Sequence, residues 1–441
     1  MSGTSPSPDQ GPARQPVRAA AAAFIGTAVE FYDFYVYSLA VPLALGPLFF
    51  PSDDPFVSTL AAFGTFAVGF IARPIGGVVF GHLGDRLGRK KLLVFTMLLM
   101  GFATIAIGCL PTYAQIGVWA PILLVLLRIL QGLATSGEWG GAVLMAGEHA
   151  PAKRVTFFAS FAQLGSPAGL LLALLMFRAM TQLDHADFMA WGWRVPFLAG
   201  VVLLGVGFAI RASVKETPAF EAVVKQGERA RMPVVEALRT AWYPILLAAG
   251  VSVLGTGGFF FTNVFMISYT TKYVGIPEQL ILDCLLWVTV IQFLSQPVSA
   301  MLAERIGEVR FLKLAAFLAL LSPYPMFLLV GTGQPLAIVL GISLAIVTLS
   351  GVYAVMAGFI STAFPARLRY SCISMGYQLG VTVSAGGAPL LGAVIAQRYA
   401  GQWLPLALFF SLLALVTLVS VHVFMLWRRG YEARQAAAQP A

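Results

Sequence analysis

Gly81-His82-Leu83-Gly84-Asp85-Arg86-Leu87-Gly88-Arg89-Lys90-Lys91 is the stretch whose reading decides how this chain folds. It is short, polar and basic, and long apolar runs flank it on both sides. A charged side chain at the centre of a membrane helix costs about 2.5–3.5 kcal/mol. The stretch therefore belongs in water and its flanks read as membrane spans. Its glycines permit a tight turn and close approach of another backbone. Asp85 is expected to open the next helix, where a carboxylate caps free N–H groups and meets the positive end of the dipole. Gly81, Gly84, Asp85, Arg86, Gly88, Arg89 and Lys90 are accordingly candidates for a gate at one membrane face.

The rest of the composition agrees. Of 441 residues, 59% are hydrophobic and only 11% charged, with a mean hydropathy of +0.83. A soluble protein carries about 25% charged residues, so this is an integral membrane protein. A net charge of +9 would suggest nucleic acid in a soluble chain. Here the basic residues sit in short loops, where membrane topology explains them and no nucleic-acid partner is implied. Cys109, Cys284 and Cys372 fall in or near different apolar runs, and neither a disulfide framework nor a metal site follows. No Gly-x-x-x-x-Gly-Lys-Ser/Thr loop is present, so nucleotide-driven pumping is excluded within this chain. No catalytic residues, cofactor or metal are expected. Residues 1–18, rich in Ser, Pro, Gln and Arg, read as a disordered tail without a signal peptide.

A span needs about 20 apolar residues. Twelve are expected, at 19–44, 58–81, 92–111, 116–146, 155–178, 193–212, 241–269, 279–302, 312–331, 335–362, 372–396 and 403–427. An even number puts both termini on one side. Alternate segments on that side hold 22 of the 28 lysines and arginines, and the opposite segments only Arg178, Arg194, Lys272 and Arg398. The positive-inside rule then makes both termini cytoplasmic. The long polar interruption at 213–240 divides two six-helix bundles, 19–212 and 241–427, with a tail at 428–441. The halves repeat: Asp85-Arg86-Leu87-Gly88 has a counterpart in Glu304-Arg305-Ile306-Gly307, and Pro151-Ala152-Lys153-Arg154 one in Pro365-Ala366-Arg367. Glu308 stands where Arg89 stands in the first copy, so the two gates should differ in strength. The fold class is all-α integral membrane, twelve helices in two pseudo-symmetric six-helix bundles.

The 81–91 stretch resembles the signature loop between the second and third helices of the major facilitator superfamily, whose halves enclose a site between them. Further stretches resemble its metabolite–proton symporter family, the group of shikimate, dicarboxylate, citrate and proline/betaine carriers. They are Glu30-Phe31-Tyr32-Asp33-Phe34, Arg73-Pro74-Ile75-Gly76-Gly77, Arg128-Ile129-Leu130-Gln131-Gly132 and Gly137-Glu138-Trp139-Gly140-Gly141. Trp191-Gly192-Trp193-Arg194-Val195-Pro196-Phe197 and Glu216-Thr217-Pro218-Ala219-Phe220 continue the match, dense in the first half and thin in the second. The shikimate-type branch is nearest over residues 58–150. The resemblance implies proton-driven uptake across a bacterial inner membrane. The short tail at 428–441 lacks the heptads of osmosensing betaine carriers. Gly165-Ser166-Pro167-Ala168-Gly169 matches the glycine–proline motif of drug antiporters only in part.

Ionisable residues at membrane depth are functional candidates by default. Glu30 lies roughly 17 Å and Arg73 about 12 Å from the cytoplasmic end of their spans, at about 1.5 Å per residue. Arg128 lies about 18 Å from the outer end of the fourth span. Glu30 and Asp33 share a helix face, so pairing Glu30 with Arg73 and Asp33 with Arg128 is expected, although helix packing could exchange the partners. Glu30, Asp33 and Arg128 are the proton-coupling candidates, with Asp33 as the residue that cycles. Arg73 is the candidate for a substrate carboxylate, and Glu138, roughly 15 Å deeper than Arg128, is a substrate-binding candidate facing the inner vestibule or a tie to a neighbouring helix. The second half offers Asn263, Gln292, Gln296, Tyr353, Tyr377 and Gln378, as substrate contacts or interhelical glue. Glu148, Arg154, Glu304 and Arg305 are expected to join the cytoplasmic gate. The expected function is import of a small polar metabolite, a carboxylate first, with a proton, by a carrier that works as a monomer. A zwitterionic osmolyte is the rival substrate and a drug/proton exporter the rival function. A receptor that signals without flux would need a larger cytoplasmic domain.

Overall fold

The computed structural model describes residues 16–87, 89–136, 142, 146, 150–151, 154–213, 233–361, 364 and 369–438, with the side chains at 81–93 outside the description. Every element among the described residues is helical. In lipid, each backbone N–H and C=O must be satisfied within its own segment, and an uninterrupted helix does this. Ten helices are long and apolar enough to cross a membrane, and two shorter apolar ones complete the expected twelve. The first half holds α1 (Ala20–Phe49), α2 (Pro55–Phe80), α3 (Val94–Cys109), α4 (Trp119–Thr135), α5 (Val155–Met180) and α6 (Gly192–Ala209). The second holds α7 (Trp242–Val274), α8 (Glu278–Ile306), α9 (Glu308–Val330), α10 (Pro335–Ile360), α11 (Ser371–Arg398) and α12 (Trp403–Tyr431).

The contacts repeat as the sequence does. In the first half α1 packs on α5, α2 on α4 and α3 on α6; in the second α7 packs on α11, α8 on α10 and α9 on α12. Across the halves the principal pairs are α5 with α8 and α2 with α11, which the same repeat interchanges. Of the ten long spans, α1, α7 and α10 are among the most buried and α6 is the least. Large apolar residues such as Phe102, Trp287 and Leu408 face outward, as a lipid-facing surface requires. Small residues set the closest approaches. A Cβ on Gly132 would lie 1.9 Å from the Gly69 carbonyl oxygen, which locks α4 onto α2. Gly165 and Gly169 let α5 lie against Thr27, Ala28 and Tyr32 of α1, so the glycine–proline stretch is a helix contact.

Three expectations change. Asp85 does not open a helix: α2 continues as a helix to Leu87 and the next begins at Arg89. Gly81 and Gly84 cost a helix little against the backbone bonds they keep, so both stay within the helix that ends at Leu87. The segment expected as a central loop contains a helix, Pro233–Thr240, whose Ala237 is buried. The last helix runs on through the tail to Ala438.

Helix α7 departs most from regular winding. It opens into π-helical turns at Leu254–Gly258, Phe261–Phe265 and Thr270–Val274. Such turns often mark functional positions. They also change the register: Thr256 and Asn263, seven apart, would share a face of a regular helix and here they do not line the same space.

Candidate substrate site

The two halves enclose a small cavity of about 10 Å³, room for one water-sized sphere. Arg73 is its only charged lining residue among the described residues. Three phenols line it, Tyr35 from α1, Tyr353 from α10 and Tyr377 from α11, with the hydroxyls of Ser166 and Thr256 and the rings of Phe31, Phe259 and Phe260. Tyr35 and Ser166 hydrogen-bond at 3.1 Å, Thr256 and Ser384 at 2.8 Å, and Tyr353 with Tyr377.

Arg73 is held by α2 in the middle of this constellation and is 7% exposed. Its guanidinium lies over Phe34 and Phe70, 4.6 and 4.7 Å from the ring centres. Its polar neighbours are the Glu30 carboxylate on α1 and the phenols Tyr377 and Tyr353. The cation thus comes from one half and two of its polar neighbours from the other. A guanidinium so placed can take a planar carboxylate through two parallel N–H bonds.

Arg128 is fully buried and lies elsewhere than expected. Its Cζ is 3.8 Å from the Tyr37 ring centre and 5.0 Å from that of Phe34. Its Nη1 donates to Gln131 Oε1 at 2.8 Å, and Gln131 Nε2 donates to Thr104 Oγ1 at 2.8 Å. Nε and Nη2 find no hydrogen-bond partner among the described residues, so the expected bond from Arg128 to Asp33 is not made. Glu30 and Asp33 diverge around α1. Glu30 turns toward Arg73, while Asp33 Oδ1 lies 3.3 Å from where a Cβ on Gly200 of α6 would stand. Three residues apart is about 300° of turn, so the shared face holds only loosely. Phe34, between the two arginines, is the ring both cations use.

The remaining expected contacts divide. Tyr353 and Tyr377 line the cavity; Asn263, Gln292 and Gln378 do not. Asn263 Nδ2 donates to Phe259 O of its own helix at 3.0 Å. Gln378 Nε2 donates to Ser136 O at 2.8 Å, joining α11 to the end of α4. Glu138, Glu148 and Gly88 lie outside the described residues, as do the side chains at Gly81, Gly84, Asp85, Arg86, Arg89 and Lys90.

Both ends of the cavity are closed by contacts between the halves. At the end carrying the basic loops, Glu304 accepts the Phe157 amide at 2.8 Å and Glu308 accepts the Thr156 hydroxyl. Thr156 and Phe157 are in the first turn of α5, so an acid from one half caps a helix N-terminus of the other. Arg154, just before that turn, lies over the Phe157 ring, and Arg305 beside Glu304 is exposed. Glu308 is therefore an altered copy with a contact of its own, where the repeat suggested a degraded one. At the opposite end Arg178 pairs with Asp283, and Gln279 Nε2 donates to Thr181 O at 2.7 Å.

Sequence reasoning missed Tyr35, Ser166, Phe259 and Phe260 as lining residues. Tyr35 follows the Glu30–Phe34 motif and offered a signal; Phe260 stands in an apolar run and offered none.

Twelve membrane helices in two repeats, closed around a central cavity by contacts at either end, are the architecture of an alternating-access transporter. The chain belongs to the major facilitator superfamily, whose profile matches residues 23–380. It is 38% identical over 397 residues to the shikimate transporter of Escherichia coli K12, covering 89% of this chain and 90% of that protein. It is 32% identical over 413 residues to the proline/betaine transporter of the same organism, covering 91% and 82%. Among solved structures, the proton:xylose symporter XylE superposes with a TM-score of 0.73 at 14% identity, covering 92% of this chain and 94% of that one. The relatives are membrane transporters, and the chain is a transporter of the shikimate, metabolite and proline/betaine type; it is no enzyme.

Proposed function

We propose that this chain imports a small organic acid together with a proton across a bacterial inner membrane, with both termini cytoplasmic. Arg73 carries the reading: among the described residues it is the one cation lining the cavity, and Glu30 accompanies it. A substrate carboxylate would compete with Glu30 for the guanidinium. The similarity to a shikimate transporter and to a proton symporter supports acid and proton respectively. Asp33, about one turn nearer the outer face than Glu30, is the residue assigned to the travelling proton, with Glu30 as the alternative carrier. A buried carboxylate exchanges its charge readily when a neighbouring helix moves.

The test is uptake into proteoliposomes. Asp33→Asn should abolish accumulation driven by an imposed pH gradient and leave exchange at equal concentrations largely intact. Uphill, pH-driven uptake retained in that variant would refute the assignment. The lining by Phe31, Phe259 and Phe260 supports a second reading, a zwitterionic osmolyte whose quaternary ammonium meets aromatic faces. Thermal stabilisation of the purified protein by betaine, with none by ring carboxylic acids, would favour that reading.

A further inference from the structure

Beside the cavity runs a second polar feature. Gln292 and Gln296 on α8 and Ser350 on α10 are fully buried, and Ser343 on α10 is 7% exposed. Both amide atoms of each glutamine and both hydroxyls find no hydrogen-bond partner among the described residues. A buried polar group left unsatisfied carries its full desolvation penalty. Four such side chains on two packed helices are too expensive for a structural seam that leucine and alanine could fill. Native proteins keep such groups where water or a ligand meets them.

The helix register places Gln292, Gln296 and Ser350 within about a turn of the cavity's lining residues, and Ser343 about 15 Å along α10 from Tyr353. Helices α5 and α8 run antiparallel, and three contacts fix their alignment: Phe157 with Glu304, Arg178 with Asp283, and Thr181 with Gln279. Gln296 then stands level with Gly165, next to the lining residue Ser166, and Gln292 level with Gly169. Cys284 Sγ meets the Pro335 carbonyl at 3.7 Å, and a residue of α8 stands level with the residue of α10 numbered 51 higher. That puts Ser343 beside Gln292, and Ser350 one turn from the lining residue Tyr353. By helical spacing Gln292 lies opposite Asp283, while Gln296 lies about 80° round α8 from Glu304.

We infer that Gln292, Gln296, Ser343 and Ser350 form a subsite of the central cavity that takes the hydroxyl groups of a polyhydroxylated acid. The inference rests on the proposed acid transport and deepens it: Arg73 of the first half takes the carboxylate, and the α8–α10 seam of the second half takes the hydroxyls. Each primary amide offers donors and an acceptor, so two of them at i and i+4 complement neighbouring hydroxyls that both give and receive. Both helices belong to the second half, so the seam opens to the substrate only as α8 and α10 shift against each other.

The test compares shikimate with cyclohex-1-enecarboxylate, the same ring acid without hydroxyls, by calorimetric binding to the purified full-length protein. The wild type should prefer the hydroxylated acid by at least about tenfold, the size of one to two hydrogen bonds. In Q292L/Q296L that ratio should fall to about one, and the unliganded melting temperature should not drop, since leucine removes unsatisfied groups. The smaller change S343A/S350A should lower the ratio in the same direction. A preference that persists in both variants overturns the subsite. So does a lower melting temperature with equal weakening of both acids, which is the signature of interhelical glue. A wild type that binds both acids equally overturns the subsite and leaves acid transport standing. A wild type that binds neither overturns acid transport itself.

Discussion

Removing the Glu304 carboxylate should open the basic-loop end of the carrier. Glu304 accepts the Phe157 amide at 2.8 Å in the first turn of α5, where the helix leaves N–H groups unpaired and its dipole is positive. Glu304→Gln keeps an acceptor and removes the charge, an effect of about 0.3–1 kcal/mol and up to about 2 when partly buried. Glu304→Ala removes the charged hydrogen bond as well, worth about 1.5–3 kcal/mol. A difference of 1.4 kcal/mol is a factor of ten. The open-to-closed ratio should thus rise about two- to thirtyfold in the first variant and roughly ten- to a hundredfold in the second. Glu304 is half-buried, so added salt should move both toward the lower figure. The assay is a spin-label distance distribution between cysteines placed at the exposed Pro151 and Arg310, with Cys109, Cys284 and Cys372 replaced. The wild type should show mainly the short distance and Glu304→Ala a second, longer one. A wild-type distribution in a folded Glu304→Ala/Glu308→Ala protein would refute the cap as a latch.

Three further outcomes are expected. Arg73→Lys should raise the half-saturation concentration for an acidic substrate strongly and for an uncharged analogue less, because an ammonium does not reproduce the bidentate fork; equal losses in transport assays would assign Arg73 to packing. Gly132→Ala should lower the melting temperature markedly, since its Cβ would stand 1.9 Å from the Gly69 carbonyl oxygen and α4 must move off α2; an unchanged melting curve would show that the two helices separate at no cost. Reporter fusions after residues 225 and 435 should read cytoplasmic and one near Asp53 periplasmic, and an outside reading at 225 would reverse the proposed orientation.

The spans were legible because membrane insertion is a property of composition over about 20 residues, and α1 to α12 need only that. The repeat was legible because Glu304-Arg305-Ile306-Gly307 keeps the pattern of Asp85-Arg86-Leu87-Gly88. The direction of a side chain was not, since it depends on helix rotation. Arg128 illustrates this. Depth alone allowed Asp33 as its partner, but α4 turns the guanidinium onto Tyr37, and Gly69 leaves space for it. Asn263 failed for a different reason: π-helical turns in α7 broke the seven-residue spacing that had grouped it with Thr256. Polar type was a sound guide for Arg73, Tyr353 and Tyr377, each drawn to the interface between halves. It could not find Phe260, whose ring sits 5.5 to 5.6 Å from those of Phe34, Tyr35, Phe66 and Phe70 of the other half.

The two closures differ in kind, and the difference bears on direction. At the opposite end Arg178 and Asp283 have side chains 26% and 44% exposed, and pairs so exposed contribute about 0–1 kcal/mol. The bond from Gln279 to Thr181 adds about 1 kcal/mol. At the basic-loop end two carboxylates meet the first turn of one helix, and the charged bond from Glu304 alone is worth about 1.5–3 kcal/mol. On these contacts the closed carrier is expected to open more easily at the Arg178–Asp283 end, with Lys272 over the Phe56 ring narrowing the difference. With the basic loops in the cytoplasm, as proposed, that end faces outward, and the unloaded carrier meets the outside first. The import proposed above would use that order, with an acid and a proton entering before the Glu304 cap gives way. The replacement at Glu308 fits the same logic. A basic residue there would repel the positive first turn of α5, whereas a carboxylate holding Thr156 strengthens the inner closure that has to outlast the outer one.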